Sequence, residues 1–450
     1  MADDPLLSDE LLGELVAVGE VDILVGVTTF NSAATIRQVV EAIQEAFVRY
    51  FPRQRTALVA ADAGSRDDTL KLLSDTAPGG SPTMVSAGAL RTLQRIVAPY
   101  HGVPGRGTAL RTIFAAAELA RAKACAVVGG DAGGLTPEWI ERLVRPVVRD
   151  GFDFVAPLYR RDPFDGLLLR NLVYPAVRGL YGARVREPVS DEYGVSARVA
   201  GHLIDHPVWN TELGRVGIDL WLTAAAAAGG FRLCETVLGP RRSAAPATGA
   251  SVVDVVQQVV GSLFACLEMH AEYWTAAHPT PSVPVLGAAE EAEPEAPAVN
   301  PAQMVERFRI GVTELGDVLR DILTPETCAA VTALAADGGD GRRGGGGDGV
   351  RFPDDLWART VYDLAASYHH QAMHKGHLLQ AMTPLYLGRA ASFVLEHREQ
   401  PRAEVDGAVE ELCVAFEREK PYLLERWKGG AAPTQGRPSG ARFSAGGASV

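Results

Sequence analysis

Three short apolar runs, each closing on a polar cluster and each followed by a helical pattern, limit the architectures open to this chain. Val21–Phe30 is a β-branched apolar run that ends in Asn31-Ser32-Ala33-Ala34-Thr35, and an apolar-periodic helix follows to about Tyr50. Thr56–Ala61 ends in Asp62-Ala63-Gly64-Ser65. Ala124–Val128 runs into Gly129-Gly130-Asp131-Ala132-Gly133-Gly134, and a helix opens with Thr136 as N-cap, Pro137 in first position and Glu138 in the first turn. Short apolar runs bounded by turn residues read as strands buried on both faces. Strands alternating with helices at this spacing predict an α/β fold with a mostly parallel sheet. Ligands of such sheets sit beyond the carboxyl ends of the strands. Thr28, Thr29, Phe30 and Asn31, then Asp62 and Ser65, then Gly130 and Asp131 are therefore expected to meet at one edge.

The rest of the chain fills in around this half. Leu6–Val18 reads as an amphipathic lead-in helix, and Ser65 with Asp68 three residues on has the pattern of a capping box. Leu90–Val97 is a third strand or a short helix, and the Gly105-Arg106-Gly107-Thr108 turn feeds a helix over Leu110–Lys123. Phe152–Ala156 is strand-like, with Arg160, Arg161, Asp162 and Asp165 just after it. A mixed helix to Tyr181, a carboxylate-rich loop over Glu187–Tyr193 and an apolar helix opening near Asp219 follow. Arg232–Val237 is a late strand, with the pair Arg241-Arg242 beyond it. From Ser251 the apolar spacing is helical over Ser251–Trp274, Met304–Ala336 and Phe352–Trp427. Pro279–Pro301 is expected as a linker, Asp337–Gly349 as a Gly-rich loop, and the stretch after Lys428 as disordered. The expected division is a lead-in over 1–20, an α/β domain over 21–250, an all-helical C-terminal domain over 251–428 and a tail over 429–450.

Composition narrows the function. The formal net charge is −12, which argues against a nucleic-acid binder relying on overall positive charge. The five cysteines show no C-x-x-C, so neither a zinc site nor a disulfide framework is suggested. No uninterrupted apolar run approaches the ~20 residues of a transmembrane helix, and the acidic start lacks the charged and apolar regions of a secretory signal. A cytoplasmic protein is expected. His370, His374 and His377 fall at helical spacing and would share one face, but no carboxylate or cysteine completes a ligand set, so a packed or exposed helical face is the better reading. Gly105–Thr108 lacks the G-K-[ST] ending of an ATP-binding loop.

The motifs together resemble a known family. Val27–Ile36 looks like the first strand and turn of nucleotide-sugar glycosyltransferases with the GT-A fold. Asp62-Ala63-Gly64-Ser65-Arg66-Asp67-Asp68-Thr69 resembles their D-D-G-S-x-D-x-T signature, and Gly105–Ala109 their G-K-G-x-A loop. Gly129-Gly130-Asp131 falls where they carry the D-x-D metal motif. Pro188–Glu192, Gly217–Asp219 and the helical tail resemble the retaining mannosylglycerate and glucosyl-3-phosphoglycerate synthase groups. The departures are Gly129 for the first Asp of D-x-D, Arg106 for the loop Lys, and no histidine near Ser243 where the family has a further metal ligand.

This resemblance implies a hexosyltransferase using a nucleoside-diphosphate sugar (GDP- or UDP-hexose) and a small anionic, glycerate-like acceptor, with retention. It implies that Thr28, Thr29, Phe30, Asn31, Asp62, Ser65, Arg106, Gly107, Gly130 and Asp131 bind the donor. Asp131 would remain as the ligand of a weakened or dispensable Mg²⁺ or Mn²⁺ site. Asp219 would lie near the reacting sugar and Glu192 would hold sugar hydroxyls. Arg160 and Arg161, with Asp165, sit where an anionic acceptor is clamped. Plainer readings are a solvated arginine pair and, for Asp219, a helix N-terminal charge. The helical tail would carry a homodimer interface or cap the acceptor site. The eroded D-x-D also fits a second class, a catalytically weak or dead relative that binds nucleotide sugars as a scaffold. A nucleotidyltransferase is a poorer fit, because Thr28–Thr35 is not a Gly-rich basic loop.

Overall fold

The computed structural model describes residues 7, 9–75, 83–87, 105–240, 251–276, 282–288, 294, 296–336 and 349–429. One sheet organises them. Its strands are β1 (Ile23–Thr29), β2 (Thr56–Asp62), β3 (Thr83–Ala87), β4 (Ala124–Gly129), β5 (Phe154–Arg160), β6 (Tyr193–Ser196), β7 (Leu233–Pro240) and β8 (Val285–Leu286), in the order β3-β2-β1-β4-β6-β5-β7-β8. Only β6 runs antiparallel to its neighbours, β4 and β5. The α/β class with a mostly parallel sheet and a helical C-terminal region is as the apolar runs predict. The register sets Thr29 beside Asp62 and Thr28 beside Gly129, so the polar ends of β1, β2 and β4 meet at one edge.

Strands β1, β2 and β4 are buried on both faces because helices cover both. Ile23, Val25 and Val27 pack in one cluster with Ile36, Val40 and Ile43 of helix Ile36–Tyr50 and with Trp139 and Ile140 of helix Pro137–Asp150. Burying each such side chain contributes about 1.5–3 kcal/mol. Leu24 joins the second cluster with Ile113 and Phe114 of helix Arg106–Leu119. That helix lies so close that a Cβ on Gly26 would stand 2.2 Å from Ile113 Cγ2.

The second cluster continues from the sheet into the C-terminal helices, reaching Trp427. Helix Arg402–Lys428 packs on helix Tyr174–Tyr181, where Arg178 Nε donates to Glu417 Oε1 at 2.8 Å and Tyr174 Oη to Glu410 at 2.9 Å. Helix Pro301–Glu314 packs on Lys375–His397 through small residues: a Cβ on Gly311 would lie 2.3 Å from Pro384 Cβ.

Several expectations need correction. The mixed helix before Tyr181 contains a π-turn, Leu169–Val173. At its centre Asn171 is fully buried, accepting Trp357 Nε1 on its carbonyl at 2.7 Å and Arg389 Nε on Oδ1 at 3.1 Å. The 279–301 stretch is not only a linker, since β8 pairs with β7 there and Glu235 N donates to Pro284 O at 2.8 Å. Ser65 forms no capping box: the helix begins at Thr69, and Thr69 N bonds Asp67 Oδ1 at 3.1 Å. His369 ends one helix and Lys375 opens the next, so His370, His374 and His377 do not share a helical face. His370 Nε2 donates to Arg426 O at 2.9 Å, and His374 Nδ1 accepts from Gly376 N at 3.2 Å. Val252–Met269 is long and apolar enough to cross a membrane by composition alone, and it buries Val260, Leu263, Phe264 and Leu267. Leu90–Val97, Arg241-Arg242 and Ser243 lie outside the described residues, as do the 337–348 part of the Gly-rich loop and the tail from 430.

Candidate active site

The edge is built on Asp62. Its side chain is fully buried, and four donors reach its two oxygens: Thr29 Oγ1 at 2.8 Å and Ser65 Oγ at 2.6 Å on Oδ1, Gly64 N at 3.0 Å and Ser65 N at 2.8 Å on Oδ2. A carboxylate has about four acceptor positions, so these bonds saturate it. Asp62 and Ser65 thus fasten the ends of β1 and β2 together and present no open carboxylate edge to a base. Asn31 adopts a left-handed φ of 51°, which asparagine tolerates. Its N–H donates to Ser65 Oγ at 2.8 Å and its Oδ1 accepts Arg66 N at 2.8 Å. Phe30 is half-buried beside it, with its N–H 3.4 Å from Ser32 Oγ.

Arg106 is the centre of the site. It opens helix Arg106–Leu119 after Gly105, whose φ of 85° turns the chain. Its Nε lies 3.0 and 2.9 Å from Asp219 Oδ1 and Oδ2, its Nη2 2.9 Å from Asp219 Oδ1, and its Nη1 donates to Thr28 Oγ1 at 2.8 Å. Nη2 also lies 3.0 Å from Asp191 Oδ1. Burial works against its charge, but the pull of Asp219 and Asp191 prevails and holds its pKa above the usual arginine value. Asp191 was not among the sequence candidates. The carboxylate-rich 187–193 loop was the signal that pointed to it.

Gly107 has a different role from the donor contact expected of it. A Cβ there would stand 1.7 Å from Gly214 O, so the glycine lets two helix starts touch and leaves no surface for a ligand. Gly130 is likewise packed, its N–H on Thr28 O at 2.8 Å and its carbonyl accepting Thr35 Oγ1 at 2.7 Å.

Glu192 is buried and caught between hydroxyls. Tyr159 Oη donates to its Oε2, Ser190 Oγ lies 3.2 Å from the same oxygen, and Tyr159 Oη lies 2.8 Å from Ser190 Oγ. Ser190 N donates to Tyr193 Oη at 2.9 Å, and Tyr193 Oη lies 3.4 Å from the Asp219 carbonyl. Burial, and then the Asp219 charge, raise the Tyr193 pKa well above its usual value. Asp219 and Glu192 therefore belong to one connected hydrogen-bond network.

Asp131 is exposed at the end of the β4 turn. A Cβ on Gly129 would lie 2.8 Å from Asp131 Oδ1, 3.5 Å from Asp191 Cβ and 3.9 Å from Glu192 Oε1. A side chain at this position, where the resemblance implies the first Asp of a D-x-D, would thus point among carboxylates already present. Even so, no group of three or more His, Cys, Asp or Glu among the described residues is placed to hold a metal ion. The donor set does not fit a protein-built Mg²⁺ or Mn²⁺ cage.

The expected acceptor clamp is partly spent. Arg161 forks onto Glu187, with Nε at 2.7 Å and Nη2 at 3.0 Å, while its Nη1 bonds Asp165 Oδ2 at 3.0 Å. This pair pins the loop that delivers Asp191 and Glu192 to β5, so Arg161 and Asp165 act within the protein. Arg160 ends β5 beside them.

No family model and no curated protein matches the sequence. Solved structures do match. The chain is 19% identical to glucosyl-3-phosphoglycerate synthase from Mycobacterium tuberculosis in complex with Mn²⁺, UDP-glucose and phosphoglyceric acid, over 58% of this chain and 84% of that one, with a TM-score of 0.40. The same enzyme with Mg²⁺ and UDP matches at 21% identity, 57% and 83% coverage and a TM-score of 0.39. Mannosyl-3-phosphoglycerate synthase from Rubrobacter xylanophilus matches at 16% identity, 60% and 80% coverage and a TM-score of 0.38.

Proposed function

We propose that this protein is a glycosyltransferase that moves a hexose from a nucleoside-diphosphate sugar to a small anionic, glycerate-like acceptor, with retention at the sugar carbon. The observation that carries the reading is Arg106, held at the carboxyl edge of the sheet by Thr28, Asp219 and Asp191. A leaving diphosphate develops negative charge on its β-phosphate, and a fixed, half-enclosed guanidinium fork suits that charge. The Thr28–Asn31 turn supplies the nucleoside side, Asp131 a ribose or phosphate-side contact, and Arg160 the cation for the acceptor carboxylate.

The state of the two carboxylates supports retention. Asp219 is ion-paired to Arg106, and Glu192 accepts bonds from Tyr159 and Ser190, so neither is poised as a general base. In the proposed step the acceptor oxygen bonds the anomeric carbon, the bond from that carbon to the phosphate oxygen breaks, and the acceptor proton passes to the leaving phosphate. Free cysteines fit a reducing compartment, and we place the protein in the cytoplasm.

Thermal melts with UDP, GDP and their hexose conjugates, each with and without Mn²⁺, test the reading. A bound nucleotide stabilises by mass action, about 2.7 kcal/mol at a hundredfold excess over Kd. A shift followed by product formation with glycerate or 3-phosphoglycerate supports transfer. A shift without product supports a nucleotide-sugar-binding scaffold, and no shift overturns both.

A further inference from the structure

The anions that Arg106 meets in this structure are the protein's own. Asp219 takes Nε and Nη2 at 2.9–3.0 Å, and Asp191 takes Nη2 at 3.0 Å. The side chains of Arg106, Asp219 and Asp191 are 13%, 17% and 30% exposed, so the cluster sits at the mouth of the edge and not in the core. Asp131 and Glu192 border the same space through the Gly129 position. One guanidinium is surrounded by carboxylates that together outweigh its charge.

A carboxylate and a phosphate present similar oxygen pairs to an arginine fork. We infer that Asp191 and Asp219 are built-in competitors for the donor diphosphate, resting on Arg106 until phosphate oxygens displace them. This inference rests on the glycosyltransferase reading above. Self-pairing spares the half-buried guanidinium from standing without a counter-charge. Once displaced, the Asp219 carboxylate takes a hydroxyl of the bound sugar as its new partner, so it is still engaged when the acceptor arrives. Asp191 therefore sets donor affinity without touching the reacting atoms.

The test is calorimetric titration of the full chain with UDP and GDP in EDTA. Asp191→Asn keeps the shape and removes one competing charge, so we expect its nucleotide to bind about tenfold more tightly than to the unaltered protein. Arg106→Ala should abolish binding. Equal or weaker binding by a folded Asp191→Asn, with binding by the unaltered protein intact, overturns the inference and leaves the functional reading standing. Absence of nucleotide binding by every form, in EDTA and with Mn²⁺ alike, overturns both. A second variant, Asp191→Glu, keeps the competing charge and should bind nucleotide no more tightly than the unaltered protein; a tenfold gain by it as well overturns the inference.

Discussion

Arg106 and Asp219, 113 positions apart in the chain, meet through three contacts of 2.9–3.0 Å. One residue opens the helix after the Gly105 turn, and the other stands in the first turn of helix Ile218–Ala228. The pair therefore fixes the mutual position of two helix starts as well as the charge at the sheet edge. Arg106→Ala would leave Asp219 and Asp191 facing each other without a counter-charge. We expect a loss of about 3 kcal/mol in urea unfolding, since breaking an enclosed pair exposes the cost of the charge left behind. Asp219→Asn should cost less, and the double variant should recover part of the Arg106→Ala loss. Additive effects in that cycle would show that the two side chains do not interact in solution.

Gly129→Asp supplies the first carboxylate of the D-x-D that the resemblance implies. Its Cβ would meet Asp131 Oδ1 at 2.8 Å, which is the far end of a side chain that can rotate away. In EDTA the added charge should destabilise the protein by about 1 kcal/mol through like-charge repulsion. With Mn²⁺ the new pair of carboxylates should bind the ion, and melting temperature should rise with metal concentration in the variant alone. A variant whose melting temperature ignores Mn²⁺ would show that Asp131 is not placed as a metal ligand.

Gly107→Ala tests a packing assignment against the donor-binding role that the loop resemblance implies. Gly214 O, a backbone atom, would lie 1.7 Å from the new methyl, so the helix Glu212–Val216 must shift. Overpacking of this kind costs about 1–3 kcal/mol, read as a lower denaturation midpoint without any ligand. If stability is unchanged and only nucleotide affinity falls, the glycine serves the ligand after all.

Much of this was legible in the chain because the strands that carry the site are buried on both faces. Val21–Phe30, Thr56–Ala61 and Ala124–Val128 each announce themselves as apolar runs, and their ends converge on Thr28, Asp62 and Asp131 as expected. β6 was missed because Tyr193–Ser196 is short and follows a loop of carboxylates. Two residues of β8 inside a Pro- and Ala-rich stretch carry no pattern that could reveal them. Pairings are harder still. Nothing local to Arg161 shows that it will fork onto Glu187, or that Asp62 will spend both oxygens on Thr29, Ser65 and Gly64. The three histidines at helical spacing misled because Gln371, with φ 51°, breaks the helix between them. Spacing alone does not register a left-handed turn at a glutamine.

His270 gives the protein an acid sensitivity that can be isolated. It caps helix Val252–Met269, its Nδ1 lies 3.1 Å from Tyr181 Oη, and its ring meets the Tyr181 ring edge-on at 5.7 Å. Burial, with smaller contributions from His206 and His202, lowers its pKa from 6.5 to about 4. The unfolded chain takes up a proton below pH 6.5, whereas the folded chain stays neutral at this ring until about pH 4. The unfolded state thus binds more protons throughout that window, and stability falls as pH falls through it. The full effect is on the order of 3 kcal/mol, absent well above pH 6.5 and complete well below pH 4. His270→Gln keeps a polar side chain at the site and removes the titration. Urea midpoints of both proteins between pH 7.5 and pH 4.5 should therefore diverge in slope, the unaltered protein losing stability faster as acid is added. Carboxylates titrating near pH 4 affect both proteins alike, so the difference belongs to His270. Parallel slopes would mean that the ring is solvated well enough to charge in the folded state, and that the contact with Tyr181 does not hold it neutral.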